Sequence, residues 1–381
     1  MEFHADNMMK QSSSTLRKTK KLPSSPVRPV TTRDVAALAG VNQASVSVVL
    51  NGARSNTGVS EESRSRIIAA AEQLGYRRNG MAAAFRRGSF EAIALLMASN
   101  FHGSGLPDGV MNGIHEEIQK SRVNLIVHKL PVATLNDPVI LPKVLTEWGC
   151  DGLLIDMTYA IPSLMTQAIE ASGLPAIWCN VPMEYDAVRP DDYDAGRRAA
   201  RHLLELGHRR ICYLDLGHTW SDLECGGLES TNHYSAHDRY TGVKDEVEHW
   251  GVELIVRVQD DEVERRQFGK LFDKNCEDIR NMLMDYKPTA VISYDDIGYT
   301  TLVVARDMCL RLPQDLSLIV FGRFDNWSMG HQLTTMVTPE YEMGQRMVQA
   351  IFDKIKKPDT LLPSTVVPFG FDSGQTCGPL A

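Results

Sequence analysis

The chain has 381 residues, 43% hydrophobic and 23% charged, an ordinary globular composition with apolar material for more than one core. A net charge of -8 argues against a nucleic-acid partner only if it is evenly spread, and it is not: the first 90 residues carry 14 Lys and Arg against 6 Asp and Glu, the remainder 26 against 42. No apolar run approaches the length of a bilayer span, so a membrane-spanning protein is excluded and no membrane partner is expected.

Residues 1–29 hold Ser12 to Ser14 and the basic run Arg17, Lys18, Lys20 and Lys21, with almost nothing to bury, and read as a disordered basic tail. They lack the apolar core of a signal peptide, so a cytoplasmic location is expected. Three short helices follow over residues 30–78. The first is capped by Thr31 with Asp34 in a capping-box position, places Val35, Leu38 and Ala39 on one face, and is broken by Gly40. The second starts after Asn42, runs to Asn51 and packs through Val46, Val49 and Leu50. The third starts at Ser60, sets Glu61 and Glu62 at its positive end, buries Ile67, Ala71 and Leu74, and stops at Gly75. The first two, joined by a tight Gly-containing turn, make a helix-turn-helix. Residues 79–90 include a short run of high helix propensity, Met81 to Arg87, too short to hold a helix without a partner.

From Glu91 to about Phe371, strand-like runs alternate with helix-length amphipathic segments. The strands are expected at Ala92–Met97, Val123–His128, Gly152–Asp156, Ala176–Val181, Ile211–Asp215, Leu254–Val258, Ala290–Ser293, Leu316–Phe321 and Val366–Phe371. Helices are expected between them, among them Ala195–Leu206, Arg239–Trp250, Cys276–Asp285, Tyr299–Met308 and Met343–Ile355. This alternation predicts a two-lobed α/β core of two doubly wound parallel sheets with a cleft between them. Residues 372–381 read as an unpatterned tail. Seven cysteines without a CxxC pair read as reduced thiols, and no cofactor or metal site is expected.

Two strings, PVTTRDVAALAGVNQASVSVVLNG and VSEESRSRIIAAAEQLGYRRNGMAAAFRRG, resemble the DNA-binding headpiece of the lactose-repressor family of bacterial transcriptional regulators. Farther on, DDYDAGRRAARHLLELGHRRICYL, RYTGV, ISYDDIGYTTLVVARDMCLRLPQDLSLIVFG and QLTTMVTPEYEMGQRMV resemble that family's effector-binding core, in the same order. The resemblance implies a homodimer whose headpieces each set a recognition helix in the major groove of near-palindromic double-stranded DNA, and a periplasmic-binding-protein-like core. It assigns phosphate contacts to Thr31, Ser45 and Asn51, base reading to Gln43, Ala44, Ser47 and Val48, and further DNA contacts to Thr32, Tyr76 and Asn79. Gln43 can pair with adenine or guanine edges, while Ala44 and Val48 offer only methyl contacts; many relatives carry Arg where Val48 stands. Arg54, in the loop Gly52 to Val59, is placed to touch phosphate. Residues Asn79 to Arg87 match the family's hinge helix, with Ala82 and Phe85 at the minor-groove positions and Phe85 as an apolar wedge.

For the cleft, the resemblance implies a small-molecule effector, a sugar or related polar metabolite, contacted by Asp156, Asn180, Arg239, Asp295 and Asp296. Relatives usually end the strand equivalent to LIVFG with Gly-aromatic-Asp; here the tripeptide is Val320-Phe321-Gly322, followed by Arg323, which suits an anionic effector unless the pocket is vestigial. Catalytic motifs are absent, and Asp295 and Asp296, as neighbours on a strand end, would point to opposite sides and could not flank one bond, so no enzyme is expected. The alternative is a solute receptor without a DNA target, which would need an export signal and no headpiece.

Overall fold

The computed structural model describes residues 30–51, 58–76, 88–98, 105–147, 149–158, 161–218, 220–224, 233–259, 268–323, 326–328 and 330–380. The chain divides after Arg86 into two units. In the first, α1 (Thr32–Ala39), α2 (Gln43–Asn51) and α3 (Glu61–Leu74) form as their caps require. Thr31 and Asp34 make a reciprocal capping box, Asn42 Oδ1 accepts from Ser45 N–H at 2.7 Å, and Ser60 accepts from Ser63 N–H at 3.3 Å. Gly40 and Gly75 end α1 and α3 in the left-handed conformation (φ 64° and 62°). Val35, Ala36, Ala39, Val46, Ile67, Ala70 and Ala71 fill the core, with Val49, Leu50, Leu74 and Tyr76 packed around it. Leu38, expected inside, is 47% exposed, because the buried stripe of α1 runs through Val35, Ala36 and Ala39 and turns Leu38 to the flank.

The second unit opens with β1 (Ala92–Ala98), α4 (Asp108–Gln119), β2 (Asn124–Leu130), α5 (Val132–Leu135), α6 (Ile140–Glu147), β3 (Gly152–Asp156), α7 (Ser163–Ser172), β4 (Ala176–Cys179) and β5 (Ala187–Pro190). There follow α8 (Asp192–Glu205), β6 (Ile211–Asp215), α9 (Trp220–Glu224), α10 (Ser235–His249), β7 (Leu254–Val258), α11 (Phe268–Tyr286), β8 (Ala290–Tyr294), α12 (Asp295–Asp307), β9 (Ser317–Gly322), the two-residue strands β10 (Trp327–Ser328) and β11 (His331–Gln332), and β12 (Thr334–Val337). The last elements are α13 (Glu340–Lys356), β13 (Thr365–Val367) and β14 (Gly370–Asp372). One sheet has the order β13-β5-β4-β3-β1-β2, wholly parallel; the other has the order β14-β12-β9-β8-β6-β7, parallel except for the β12–β14 edge pair. Apolar clusters cover both faces of each sheet, so each lobe has its own core.

The chain passes between the lobes three times, at Asp191, at Thr338-Pro339 and at Pro368-Phe369. The third passage corrects an expectation. The run read as one strand over Val366–Phe371 is two, β13 in the first sheet and β14 in the second, separated at Pro368, which has no N–H to give to a ladder. Strands β5 and β12 were not anticipated, being four residues each and polar in part. The segment read as a tail is packed: Thr376 Oγ1 donates to Leu318 O at 2.7 Å, Leu318 N–H donates to Thr376 O at 2.8 Å, and His208 Nε2 lies 3.0 Å from Gly378 O. Among the described residues no helix is long and apolar enough to cross a membrane.

In each lobe one helix pair crosses through glycines. A Cβ on Gly196 in α8 would lie 2.2 Å from Arg239 O in α10, and one on Gly242 in α10 would lie 2.1 Å from Tyr193 O in α8. The α4–α13 pair repeats this, with Gly113 against Tyr341 O and Gly344 against Val110 O, both at 2.1 Å. Backbones this close leave no room for a methyl group, so these glycines set the spacing between α8 and α10 and between α4 and α13. Gly196→Ala is expected to destabilise the second unit by roughly 1–3 kcal/mol, the usual cost of overpacking, measured as a lower urea midpoint.

Candidate functional site

Two surfaces bring the expected residues together. On the three-helix unit, Gln43 and Ala44 are exposed at the start of α2, Ser45, Ser47 and Val48 are half-exposed, and Val48 takes no part in the core. Gln43 Nε2 donates to Thr32 Oγ1 at 2.9 Å, which fixes the amide against the first turn of α1. Thr31 is committed to its cap, its hydroxyl donating to Asp34 Oδ2 at 2.7 Å, and Tyr76 packs its ring on the core. The Asn51 side chain and Arg54, Asn79, Ala82 and Phe85 lie outside the described residues.

In the second unit, strand carboxyl ends and helix amino ends face a cleft with two chambers. The first, of 280 Å³, is lined by Asp156 at the end of β3, Asn180 after β4, His233 and Ser235 ahead of α10, Arg239 and Glu340 among others. The second, of 560 Å³, is lined by Tyr294, Asp295, Phe321, Arg323, Asn326 and Trp327 among others. Arg239, Thr338 and Glu340 border both chambers. A hollow of 620 Å³ around Leu302, Arg306 and His331 shares no residue with the cleft.

Arg239 is the centre of this cleft. Its Nε donates to Asp192 Oδ1 at 2.7 Å, and its guanidinium lies 5.0, 5.1 and 5.4 Å from the ring centres of Tyr294, Phe321 and Phe369. Burial works against its charge, yet Asp192 beside it raises its pKa; burial pushes the Asp192 carboxyl up, opposed by that same arginine. Removing either partner would strand a buried charge, at about 3–5 kcal/mol. Asp156 is held by burial at about 7, against the pull of the Gly105 and Leu106 amides and Lys129. His233 is pushed down to about 3 by burial and by Arg239, so it is neutral at ordinary pH.

The remaining expected contacts divide. Asp295 and Asp296 open α12 rather than ending a strand, and they cap it: Asp295 Oδ1 accepts from Asp296 N–H at 2.9 Å and Asp296 Oδ1 from Ile297 N–H at 2.8 Å. Asp295 lines the second chamber; Asp296 lines neither chamber. Arg323 is 64% exposed and its Nε lies 3.4 Å from Glu340 Oε1, so its charge is already answered. His233, Tyr234, Asp192 and Glu340 went unanticipated. Asp192 sits in the DDYDAG string, and nothing local in the sequence sets it, His233 or Glu340 in the cleft.

Residues 31–79 match the model described as "Bacterial regulatory proteins, lacI family", and residues 200–377 match "Periplasmic binding protein-like domain". The chain carries a LacI-family DNA-binding domain and a periplasmic-binding-protein-like domain. It is 27% identical over 336 residues to the HTH-type transcriptional regulator DegA of Bacillus subtilis (strain 168), covering 82% of this chain and 87% of that protein. To the ribose operon repressor of Haemophilus influenzae (strain ATCC 51907 / DSM 11121 / KW20 / Rd) it is 25% identical over 339 residues, covering 86% and 93%. In fold it is similar to the Lac repressor dimer bound to operator and the anti-inducer ONPF, with a TM-score of 0.71 at 22% identity over 93% of this chain and 100% of that one. It is also similar to the CelR–cellobiose complex, with a TM-score of 0.56 at 22% identity over 91% and 99%.

The cleft carries a built-in pH signature. Between its ordinary value of 3.8 and about 7, Asp156 stays protonated in the folded chain while it ionises in the unfolded one. The unfolded state then binds fewer protons, so this group lowers stability as pH rises through that window and adds no further change above it. Asp156→Asn should abolish this dependence, so that the variant gains on the wild type progressively from pH 4 to 7 in parallel chemical denaturations. Each pH step of one within the window contributes about 1.4 kcal/mol, which reaches a few kcal/mol at its top.

Proposed function

We propose that the chain is a sequence-specific DNA-binding transcriptional repressor, acting as a homodimer in the cytoplasm, whose affinity for a near-palindromic operator is set by a small neutral polyol, a sugar or close relative, bound between the lobes. The α2 face carries the DNA half of this reading. Gln43 and Ala44 stand exposed where a recognition helix would meet base edges, and the Gln43 amide is held by Thr32. Thr31, Thr32, Ser45, Asn51, Arg54, Tyr76 and Asn79 are assigned to the backbone, Ser47 and Val48 to bases, and Ala82 and Phe85 to the minor groove.

Charge supports a particular division of labour. Residues 30–76 hold 4 Lys and Arg and 4 Asp and Glu, a neutral unit, whereas residues 1–29 hold 6 against 2 and residues 77–90 hold 4 against none. The helices would read sequence while the flanks supply phosphate attraction. No catalytic role is assigned.

The cleft half of the reading rests on matched charges. Arg239 is matched by buried Asp192, and Arg323, 64% exposed, points to Glu340, so the one buried arginine of the two chambers is already paired. What remains is a polar chamber with aromatic walls at Tyr294, Phe321 and Trp327, the surroundings a sugar ring and its hydroxyls require.

Selection of bound sequences from random DNA tests the DNA half: a two-fold symmetric motif is expected, and failure to enrich one would overturn it. Gln43→Ala should cost about 1–3 kcal/mol and relax preference at one base of each half-site. Replacing Arg86 and Arg87 should leave the preference intact and flatten the salt dependence by about one log unit per lost phosphate contact.

A further inference from the structure

Asn180, on the first lobe, is held by two residues of the second. Tyr234, almost wholly buried, donates its hydroxyl to Asn180 Oδ1 at 2.9 Å. His233 Nε2 lies 3.3 Å from Asn180 O, while His233 Nδ1 lies 2.7 Å from Ser235 Oγ and accepts from Ser235 N–H at 3.2 Å. With Nδ1 accepting, the neutral ring carries its proton on Nε2 and donates it to the Asn180 carbonyl. Asn180 itself adopts the left-handed conformation (φ 55°), which turns its carboxamide off the end of β4 toward this contact.

A carboxamide is planar, with one acceptor end and one donor end. Tyr234 donates to the acceptor end, which fixes Nδ2 as the opposite end of an amide that lines the chamber together with Asp156 and Arg239.

We infer that Tyr234 is a positioning residue for ligand recognition: by fixing the sense of the Asn180 carboxamide it sets a donor beside the Asp156 carboxyl, and the pair then takes a neutral hydroxyl that accepts from Asn180 and donates to Asp156. The inference rests on the effector reading given above and sharpens it. An ammonium ligand would meet Asn180 donor to donor. Because His233 and Tyr234 belong to one lobe and Asn180 to the other, this recognition is complete only when the lobes are together.

The test uses the full-length chain and a panel of neutral mono- and disaccharides that includes D-ribose, D-glucose and cellobiose, screened by thermal shift. The sugar with the largest shift is then titrated calorimetrically against Tyr234→Phe, Asn180→Ala and the double variant. Each single variant should weaken its Kd at least tenfold, and the double variant should be no weaker than the worse single one, because both break the same contact. A merely structural Tyr234 would lower the ligand-free melting temperature and leave Kd unchanged, or would add to Asn180→Ala, and either result overturns the inference while the effector reading stands. Should Tyr234→Phe fail to unfold cooperatively, His233→Asn, which loses the bond to the Asn180 carbonyl, should weaken Kd at least fivefold, and unchanged binding there overturns the inference. If no sugar of the panel stabilises the wild type, the effector reading itself falls, and this inference with it.

Discussion

The buried pair between Arg239 and Asp192 is the interaction on which the second unit is organised. A largely buried guanidinium is stabilised by a carboxylate beside it, and Asp192 stands on the first residue of α8 while Arg239 stands in α10, so the pair ties the two helices together. Gly196 and Gly242 allow the close spacing this needs. The aromatic rings of Tyr294, Phe321 and Phe369 come from the ends of β8 and β9 and from the third passage between lobes, so the pair also ties the helix layer to the sheet and to the hinge. A polar chamber can be cut beside such a charge only because the charge is matched internally.

The same reasoning applied to the first unit separates affinity from reading. A three-helix core of Val35, Val46, Ile67 and small alanines is minimal, and the capping box of α1, the side-chain caps of Asn42 and Ser60 and two left-handed glycines hold the helix ends. Crowding positive charge onto so small a body would add repulsion among its own side chains. In this chain the helices are neutral and the basic residues flank them on both sides, an arrangement in which self-repulsion is spread along the chain while attraction to phosphate is kept.

The legible part of the sequence was the part governed by local rules. The N-caps of the three helices and the glycines that end α1 and α3 could be read because N-caps and left-handed glycines act within a few residues, and strands such as Gly152–Asp156 and Ile211–Asp215 could be read because both faces are buried and the apolar run is unbroken. What could not be read depended on contacts between distant segments. Leu38 is apolar and correctly spaced, yet only the packing of α1 on α3 decides which side of the stripe is covered. Val366–Phe371 has the composition of one strand, and its division between two sheets follows from where the chain must cross. Asp156, Asn180 and Arg239 converge on one chamber as expected, whereas Arg323 was given an open charge because Glu340, seventeen residues on in another lobe's helix, has no signature in the sequence around it.

The cleft also bears on how a ligand could be felt elsewhere in the molecule. A ligand changes a conformational equilibrium only by binding its states unequally, and the inequality here has a structural source. Asn180 lies on one lobe, while its orienting groups Tyr234 and His233 lie on the other, with Arg239 a turn beyond them. A hydroxyl bound at Asn180 and Asp156, both on the first lobe, therefore meets a carboxamide held in the right sense in one arrangement of the lobes and a carboxamide without that hold in any other. One hydrogen bond weakened in this way adds about 0.5–1.5 kcal/mol to the preference, the lower part of the 1–3 kcal/mol typical of coupling between sites. Reciprocity then fixes the rest: whatever DNA contributes to one lobe arrangement, it must contribute to or subtract from ligand affinity by the same factor, so the two halves of this chain can be assayed against each other even before the natural effector is in hand.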